Sequence, residues 1–297
     1  MNAVKETVAV LHPGSMGAAV AACAKLNAKS VLWCSQGRSE ASTARAEQAG
    51  LKAVESLGEL LDRADMLISL CPPAAAEDVA HQVAEHGFRG GLYVEANAIS
   101  PERVCRIAGL LPEAWAVVDA AVVGSAPTGG KTPTLYLSGP SGATERVDAV
   151  FANTAVRTHW LGSDLGQASG LKLSYTAYQK TSRLLAGLSL GIAREHGVDQ
   201  ELITIASRRT DSYLAEPQYI PKTAARAWRW GPELDEAGDM LAAAGIPDDV
   251  LRAAAKTLER WHPSKDDAEL TLEDALTQLT IPLTPPEPPY DATAPGQ

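Results

Sequence analysis

Over the first half of the chain, short β-branched apolar runs alternate with stretches of helical periodicity. TVAVLH, from Thr7, precedes an Ala-rich helical stretch from Gly14 to Asn27, and SVLWCS, from Ser30, precedes a helix from Ser39 to Ala49. DMLISLC, from Asp65, leads into a helix that Pro72 and Pro73 start. GLYVEANAIS precedes SPERVCRIAGLL, in which Ser100 is a good N-cap and Pro101 suits the first helical position. AWAVVDAAVVG, TLYLSG and AVRTHWLG are three further strand candidates, carrying the sheet to about Leu161. Strands alternating with helices predict an α/β domain: a Rossmann-type, doubly wound, mainly parallel sheet covered on both faces.

Beyond Leu161 the strand signals stop and an all-α C-terminal domain is expected. The pattern from Ser163 to His196 is helical, with Gly197 placed to end it as a C-cap. Shorter helices are expected over Asp199–Thr210, around Trp228, and over Glu233–Ala244, Pro247–Trp261 and Asp267–Leu279. The tail IPLTPPEPPYDATAPGQ is too rich in proline for a packed element. The expected organisation is a dinucleotide-binding domain over 1–162, a helical substrate and dimerisation domain over 163–280, and a Pro-rich tail over 281–297.

Composition narrows the functional classes. The 297 residues carry 26 basic and 36 acidic side chains, a net charge of -10 without a basic cluster, which argues against nucleic acid or an anionic membrane as partner. No run reaches the roughly 20 uncharged apolar residues of a membrane span, and the N-terminus lacks a secretory pattern, so a cytoplasmic location is expected. The four cysteines, Cys23, Cys34, Cys71 and Cys105, have no metal-ligand spacing and sit among apolar neighbours, so they read as buried, non-catalytic thiols. No metal is expected, and the histidines share no spacing that would make a site.

HPGSMG follows the first strand, opens the first helix and begins a βαβ series, which is the context of a G-x-G-x-x-G phosphate loop. The register places His12, Gly14 and Gly17 at the three glycine positions. Only the turn glycine is replaced; Gly14 keeps the backbone open to a pyrophosphate at the helix start, and Gly17 allows close helix–strand packing. His12, Pro13, Gly14, Ser15, Met16 and Gly17 are the candidate loop residues, with His12 read as a turn residue rather than a direct contact. After the second strand no acid precedes Glu40, whereas Ser35, Arg38 and Ser39 are polar or cationic groups suited to a 2′-phosphate. NADP is therefore preferred over NAD, the other reading being that Arg38 is a solvated loop residue.

The strand-rich half followed by a long helix carrying GQASGLKLSYTAYQK, with Gly166, Gly170 and Lys172, resembles the 6-phosphogluconate dehydrogenase-like and β-hydroxyacid dehydrogenase superfamily. GSMG matches that superfamily's G-x-M-G ending, EANAISPERV resembles its segment after the fifth strand, and DAAVVGSAPTGG occupies the place of its substrate loop. RWGPELDEAGDMLAAAGIP is similar to the C-terminal domain of a branch of phosphogluconate-dehydrogenase-like oxidoreductases. The resemblance implies that Cys71, Pro72 and Asn97 border the cofactor, with Asn97 either beside the nicotinamide or capping its own loop. It implies that Lys172 is the general acid and base, while Tyr175, Thr176 and Gln179, at spacings of three, four and seven, share its side of the helix. The other reading of Lys172 is a surface lysine lying over apolar neighbours.

Two positions depart from the superfamily pattern. Thr176 stands where an asparagine is usual, and Val123, Gly124 and Ser125 stand where the substrate loop commonly has Ser-Gly-Gly. A simple hydroxy acid is therefore a poor candidate substrate. Trp230, near Trp228, Glu233 and Glu236, is a candidate wall of the substrate cleft; an interface or core role is the alternative for the tryptophans. The expected activity is NADP-dependent hydride transfer at a small hydroxyl or carbonyl carbon. The alternatives are an imine reductase of the same architecture and a non-catalytic nucleotide-binding dimer. The resemblance also implies a homodimer with the helical domain at its interface.

Overall fold

The computed structural model describes residues 5–280 apart from 89, 196, 209–215, 244 and 246, and apart from the side chains of 185, 188, 189, 191, 192 and 195. The Pro-rich tail, the predicted helix end at Thr210, and His196 lie outside the described residues. Eight strands form one sheet: β1 (Thr7–Val10), β2 (Ser30–Cys34), β3 (Lys52–Val54), β4 (Met66–Ser69), β5 (Leu92–Glu95), β6 (Ala116–Val123), β7 (Thr134–Ser138) and β8 (Arg157–Gly162). Their order is β3-β2-β1-β4-β5-β6-β7-β8. β1 to β6 are mutually parallel, β7 runs antiparallel to β6, and β8 is parallel to β7, as expected of a mainly parallel sheet.

The period-2 alternation of the strands feeds two apolar layers. Val8, Val10, Trp33, Ile68 and Val94 pack with α1 (Ser15–Ala24) and, farther along, with α6 (Ser141–Phe151). Ala9, Leu32, Leu67, Tyr93 and Val117 pack on the other face with α3 (Leu57–Arg63), α4 (Ala76–His86) and α5 (Pro101–Leu110). Ser39 caps α2 (Glu40–Gln48) and Ser100 caps α5, the latter as its sequence announced. β3, α3 and α6 were not anticipated; β3 is a three-residue edge strand with a single buried side chain, too little for a periodicity signal.

The remaining elements are helical: α7 (Gln167–Glu195), α8 (Asp199–Ser207), α9 (Ile220–Ala224), α10 (Ala227–Ala243), α11 (Asp249–Leu258) and α12 (Leu272–Leu279). Gly197 ends α7 at φ +67°, with the Val198 amide donating to the Ala193 carbonyl, the C-cap expected of that glycine. Separate helical segments are expected around Trp228 and from Glu233, yet α10 runs continuously through Gly231 and Pro232, since one proline removes a single amide donor. Among the described residues, packing groups those up to 179 with 232–253, and 180–231 with those from 254 on, whereas the last strand ends at Gly162. No helix among the described residues is long and apolar enough to cross a membrane. Of the cysteines expected to be buried, only Cys34 is; Cys23 and Cys71 are partly covered, and Cys105 is exposed because α5 buries Val104 and Ile107 on its other side.

Two features fix the chemistry-bearing parts of the first unit. A Cβ on Gly17 would lie 2.3 Å from the His12 carbonyl oxygen, so only glycine lets α1 pack this closely on the turn after β1. A row of buried polar residues, Ser69, Glu95, Asp119 and Ser138, crosses four neighbouring strands in register. The Asp119 carboxylate accepts from the amides of Gly166 (3.0 Å) and Ser169 (3.0 Å) and the hydroxyls of Ser169 (2.7 Å) and Ser138 (3.0 Å). It thereby caps the start of α7 and ties that helix to the sheet. Beside it, Glu95 accepts from the Asn97 amide at 2.9 Å, while its Oε2 has no partner among the described residues. Burial, reinforced by the Asp119 charge, raises the Glu95 carboxyl to about 8 against the opposing Asn97 hydrogen bonds.

Substituting Gly17→Ala is expected to destabilise the fold by about 1–3 kcal/mol through overpacking against backbone, read from the denaturant midpoint; an unchanged midpoint would contradict this packing. Because folded Glu95 holds its proton more tightly than the unfolded chain, its contribution is complete below the ordinary value of 4.5 and is lost as pH rises to about 8. Glu95→Gln is therefore expected to gain stability relative to wild type across that window, with an upper bound of about 5 kcal/mol at about 1.4 kcal/mol per pKa unit. Denaturant unfolding at several pH values checks this, and a pH-independent difference would refute it.

Candidate functional site

The strand order reverses between β1 and β4, and in open α/β sheets ligands bind outside the C-terminal strand ends at such a point. The loops after β1 and β4, which hold most of the expected cofactor residues, flank this reversal. Among the described residues the non-glycine positions with positive φ are Asn153 and Asp266, so His12 turns the chain without the left-handed conformation that favours glycine. Gly14 is the N-cap of α1 at φ -68°, ψ -177°, and a Cβ placed on it meets no atom within 4 Å. With no acidic residue in the first turn of α1, this helix start suits an anion approaching the backbone. Ser15 is exposed at the opening, Met16 is half-buried, and Pro13 is buried with its carbonyl accepting from Arg45 Nε at 3.3 Å.

Arg38 reaches from the loop after β2 onto the turn after β1. Its Nη2 donates to the Leu11 carbonyl at 2.9 Å, and its Nη1 lies 2.6 Å from His12 Nε2. Burial, then the Arg38 charge, lowers the His12 imidazolium to about 4, so the ring is neutral near pH 7 and accepts the guanidinium proton. Arg38 Nε is buried and has no partner among the described residues. Next to it lies a cavity of about 190 Å³ whose walls include Leu11, Cys34, Leu57 and Val79, with Gln36 and Gln82 among its polar groups. Ser35 and Ser39 have other partners: Ser35 donates to the Val54 carbonyl at 3.1 Å, and Ser39 Oγ accepts from the Ser42 amide at the start of α2.

At the β4 loop, Asn97 is 2 % exposed and spans two strand ends. Its Oδ1 accepts from the Cys71 amide at 2.5 Å and its Nδ2 donates to Ser69 Oγ at 3.1 Å, which is the loop-capping role. Burial, with Glu95 adding to it, pushes the Cys71 thiol up to about 11, so this cysteine stays un-ionised. Pro72 is exposed at the loop tip. Arg103 of α5 braces the loop by donating to the Pro73 carbonyl at 2.9 Å while pairing with Glu77 and Glu236. Glu236 thus serves an ion pair with α5.

On α7, the turns after the Asp119 cap carry Lys172. Its Nζ donates to the Val122 carbonyl at 3.0 Å, and burial lowers the ammonium below the ordinary lysine value. The lysine is therefore held at the end of β6, where the chain enters Val123, Gly124 and Ser125. Val123 is half-buried; Gly124, at φ +122°, and Ser125 are exposed. Thr176, one turn beyond Lys172, is 1 % exposed, whereas Tyr175 is 42 % exposed, so these two expected neighbours occupy different environments. Gln179 is half-buried at the last position of the first unit. Trp230 belongs to the second unit, where its ring centroid lies 5.3 Å from Lys180 Nζ.

Three residues that shape this site escaped the sequence reading: Asp119, Glu95 and Arg103. A signal existed for the carboxylates, because each is a lone acid inside an apolar strand run, VVDAAVV and LYVEA, where an unpaired charge would be costly. For Arg103 there was none; its partners lie 26 and 133 residues away.

Comparison with known proteins accords with this geometry. Residues 7–162 match the family model of the NAD binding domain of 6-phosphogluconate dehydrogenase, and residues 193–261 match a domain of unknown function, DUF1932. An uncharacterised 28.5 kDa protein of Methanothermus fervidus is 28% identical over 172 residues, which is 58% of this chain; the chain spans 65% of that relative, less than two thirds of its length. The fold is similar to that of Mycobacterium tuberculosis 3-hydroxyisobutyrate dehydrogenase solved with L-serine, at 18% identity over 94% of this chain and 100% of that one, with TM-score 0.74. It is also similar to an imine reductase from Bacillus cereus BAG3X2, at 18% identity over 86% of this chain and 92% of that one, with TM-score 0.54. With a model match covering more than half of its length, the chain belongs to the family of the NAD binding domain of 6-phosphogluconate dehydrogenase.

Proposed function

We propose that this chain is an NADP-dependent oxidoreductase acting on a small hydroxyl or carbonyl substrate, with Lys172 as the general acid and base. The observation that carries the reading is the Lys172 ammonium, partly desolvated and tethered to the Val122 carbonyl at the C-terminal edge of a dinucleotide-binding sheet. The open Gly14 helix start and the cavity beside Arg38 fit a dinucleotide, held by Pro13, Gly14, Ser15, Met16 and Gly17 at its pyrophosphate and by Arg38 at a 2′-phosphate. When bound, the nicotinamide supplies or accepts a hydride.

Lys172 moves the accompanying proton. One of its three N–H groups holds the Val122 carbonyl, which aims the remaining donors beyond the strand end toward a substrate oxygen. As ammonium it donates a proton to a carbonyl oxygen being reduced; as free amine it removes one from a hydroxyl being oxidised. Burial brings the amine form within reach of a lower pH than an exposed lysine allows. Asp119 fixes the helix that carries it, and Thr176 adds a buried hydroxyl one turn on. The loop from Val123 to Ser125 borders the substrate and lacks the usual first serine, which favours a carbonyl compound bulkier or less acidic than a simple hydroxy acid. The dimer is part of the same proposal: Leu171, Tyr175 and Tyr178 form an exposed apolar stripe on α7 that supports contact with a second copy.

Lys172→Ala is expected to slow ketone reduction with NADPH by about 10²–10⁴-fold while leaving NADPH affinity within about two-fold. Ketone turnover equal to wild type refutes the lysine's role, and turnover confined to cyclic imines, unaffected by the substitution, selects the imine-reductase reading. In wild type, kcat/KM for reduction should fall, and for oxidation rise, as pH passes through the depressed lysine value. A Lys172→Arg profile lacking that transition identifies the group. Light scattering on a size-exclusion column is expected to show a dimer, and Tyr175→Lys with Tyr178→Lys to yield monomer; a monomeric wild type removes the dimer from the proposal.

A further inference from the structure

The imidazole at the first glycine position of the phosphate loop has no role in the reading above. It does not answer a conformational need, since His12 is not at positive φ. Its backbone carbonyl already serves packing by lying against Gly17, and any side chain at position 12 leaves that carbonyl in place. What the imidazole does is lie against Arg38 Nη1, with Nε2 at 2.6 Å and Nδ1 at 3.4 Å; in its neutral form it accepts from the guanidinium through the ring nitrogen that carries no proton. The Leu11 carbonyl accepts Nη2 of the same guanidinium at 2.9 Å. Two of five guanidinium donors are thus spent on consecutive residues of the phosphate loop, a main-chain acceptor and a side-chain acceptor. Nε, buried beside the cavity, has no partner among the described residues.

We infer that His12 is a specificity-positioning residue: its imidazole, with the Leu11 carbonyl, locks the Arg38 guanidinium in the wall of the cavity that Leu11, Cys34, Val79 and Gln82 also line, so that its remaining donors receive the 2′-phosphate of NADP. This rests on the NADP reading above and adds to it a residue outside the loop's expected contacts. The physical gain is preorganisation. An arginine on a solvated loop loses rotamer freedom when it grips an anion, and a guanidinium already clamped at two nitrogens has lost most of it before the ligand arrives. A histidine suits the clamp because its ring carries no charge here: it accepts a hydrogen bond without neutralising the cation, as a carboxylate would, and so leaves the full positive charge for the phosphate. Leucine or alanine at this position would leave Arg38 tethered by the Leu11 carbonyl alone.

The test measures dissociation constants of NADPH and NADH by calorimetry for wild type, Arg38→Ala, His12→Ala, His12→Gln and the His12→Ala, Arg38→Ala pair. Arg38→Ala is expected to weaken NADPH by about ten-fold or more and NADH by less than about two-fold. His12→Ala should weaken NADPH by about five-fold with NADH nearly unchanged, and His12→Gln, whose amide oxygen reaches the Nε2 position, should restore most of the loss. In the Arg38→Ala background, His12→Ala should have no further effect on the NADPH to NADH ratio. Equal weakening of both dinucleotides by His12→Ala, no effect on either, or a loss that persists without Arg38 overturns the inference. Wild type binding both dinucleotides equally, with Arg38→Ala neutral, overturns the NADP reading itself; discrimination that vanishes in Arg38→Ala yet survives His12→Ala overturns only the role given to His12.

Discussion

Everything at the chemical end of this molecule depends on one buried carboxylate. Asp119 sits in the middle of an apolar strand, takes four hydrogen bonds from Gly166, Ser138 and Ser169, and ends α7 at its N-terminus. Without those donors a charge in that place would be costly; with them it becomes a fixed anchor, since the helix's unsatisfied amides and its positive end both converge on it. Gly166, at φ +96°, completes the joint, because a Cβ there would lie 2.7 Å from Pro101 Cβ. Lys172 lies just past this cap, so its position at the end of β6 is inherited from the sheet rather than from its neighbours in sequence.

The same row of register partners links the two halves of the candidate site. Glu95, next to Asp119 across β5 and β6, receives the Asn97 amide, and Asn97 in turn holds Cys71 and Ser69 at the end of β4. Burial raises both carboxyls; at Asp119 hydrogen bonds from Gly166, Ser138 and Ser169 oppose it, whereas Glu95, with one donor and the Asp119 charge beside it, is raised to about 8. The loop after β4 and the helix that carries Lys172 are thus fastened to the sheet by one contiguous polar layer. Arg103 braces that loop a second time from α5.

The carboxyl-terminal half offers a different economy of charge. Lys180 and Lys265 place their ammonium groups 5.3 Å and 4.1 Å from the rings of Trp230 and Trp228, so the tryptophans of the AWRWGPE segment act as partners for cations within their own unit. Arg252 gathers Asp239 and Asp248 in the stretch that packs with the first unit, and Glu236 pairs with Arg103 there. These pairings account for much of the charged and aromatic content that drew attention to the segment in the sequence.

How much of this was legible beforehand follows from the range of each interaction. Strand periodicity, Ser100 as a cap, Gly197 as a helix stop and the helix opening at Gly14 are local, set by backbone sterics and by side chains within a few residues, and the linear chain displays them. The superfamily resemblance likewise pointed to Lys172 on the long helix, and the glycine register after the first strand to the phosphate-loop candidate. Local signals failed where an element was too short to show a period, as at β3, or where a breaker was outvoted by packing, as at Gly231–Pro232. Equivalent faces were misjudged too: Tyr175 and Thr176 shared a side on the helical wheel, but the neighbours that bury one and expose the other come from elsewhere in the chain. The sequence by itself determined the sheet-and-helix order, the helix start open to a phosphate and the presence of a lysine on the long helix. Tertiary structure decided that Asp119 would cap that helix, that Arg38 would reach back across 26 residues to His12, and that Asn97 would clamp a loop, because each needs groups far apart in the chain to meet in a site shielded from water.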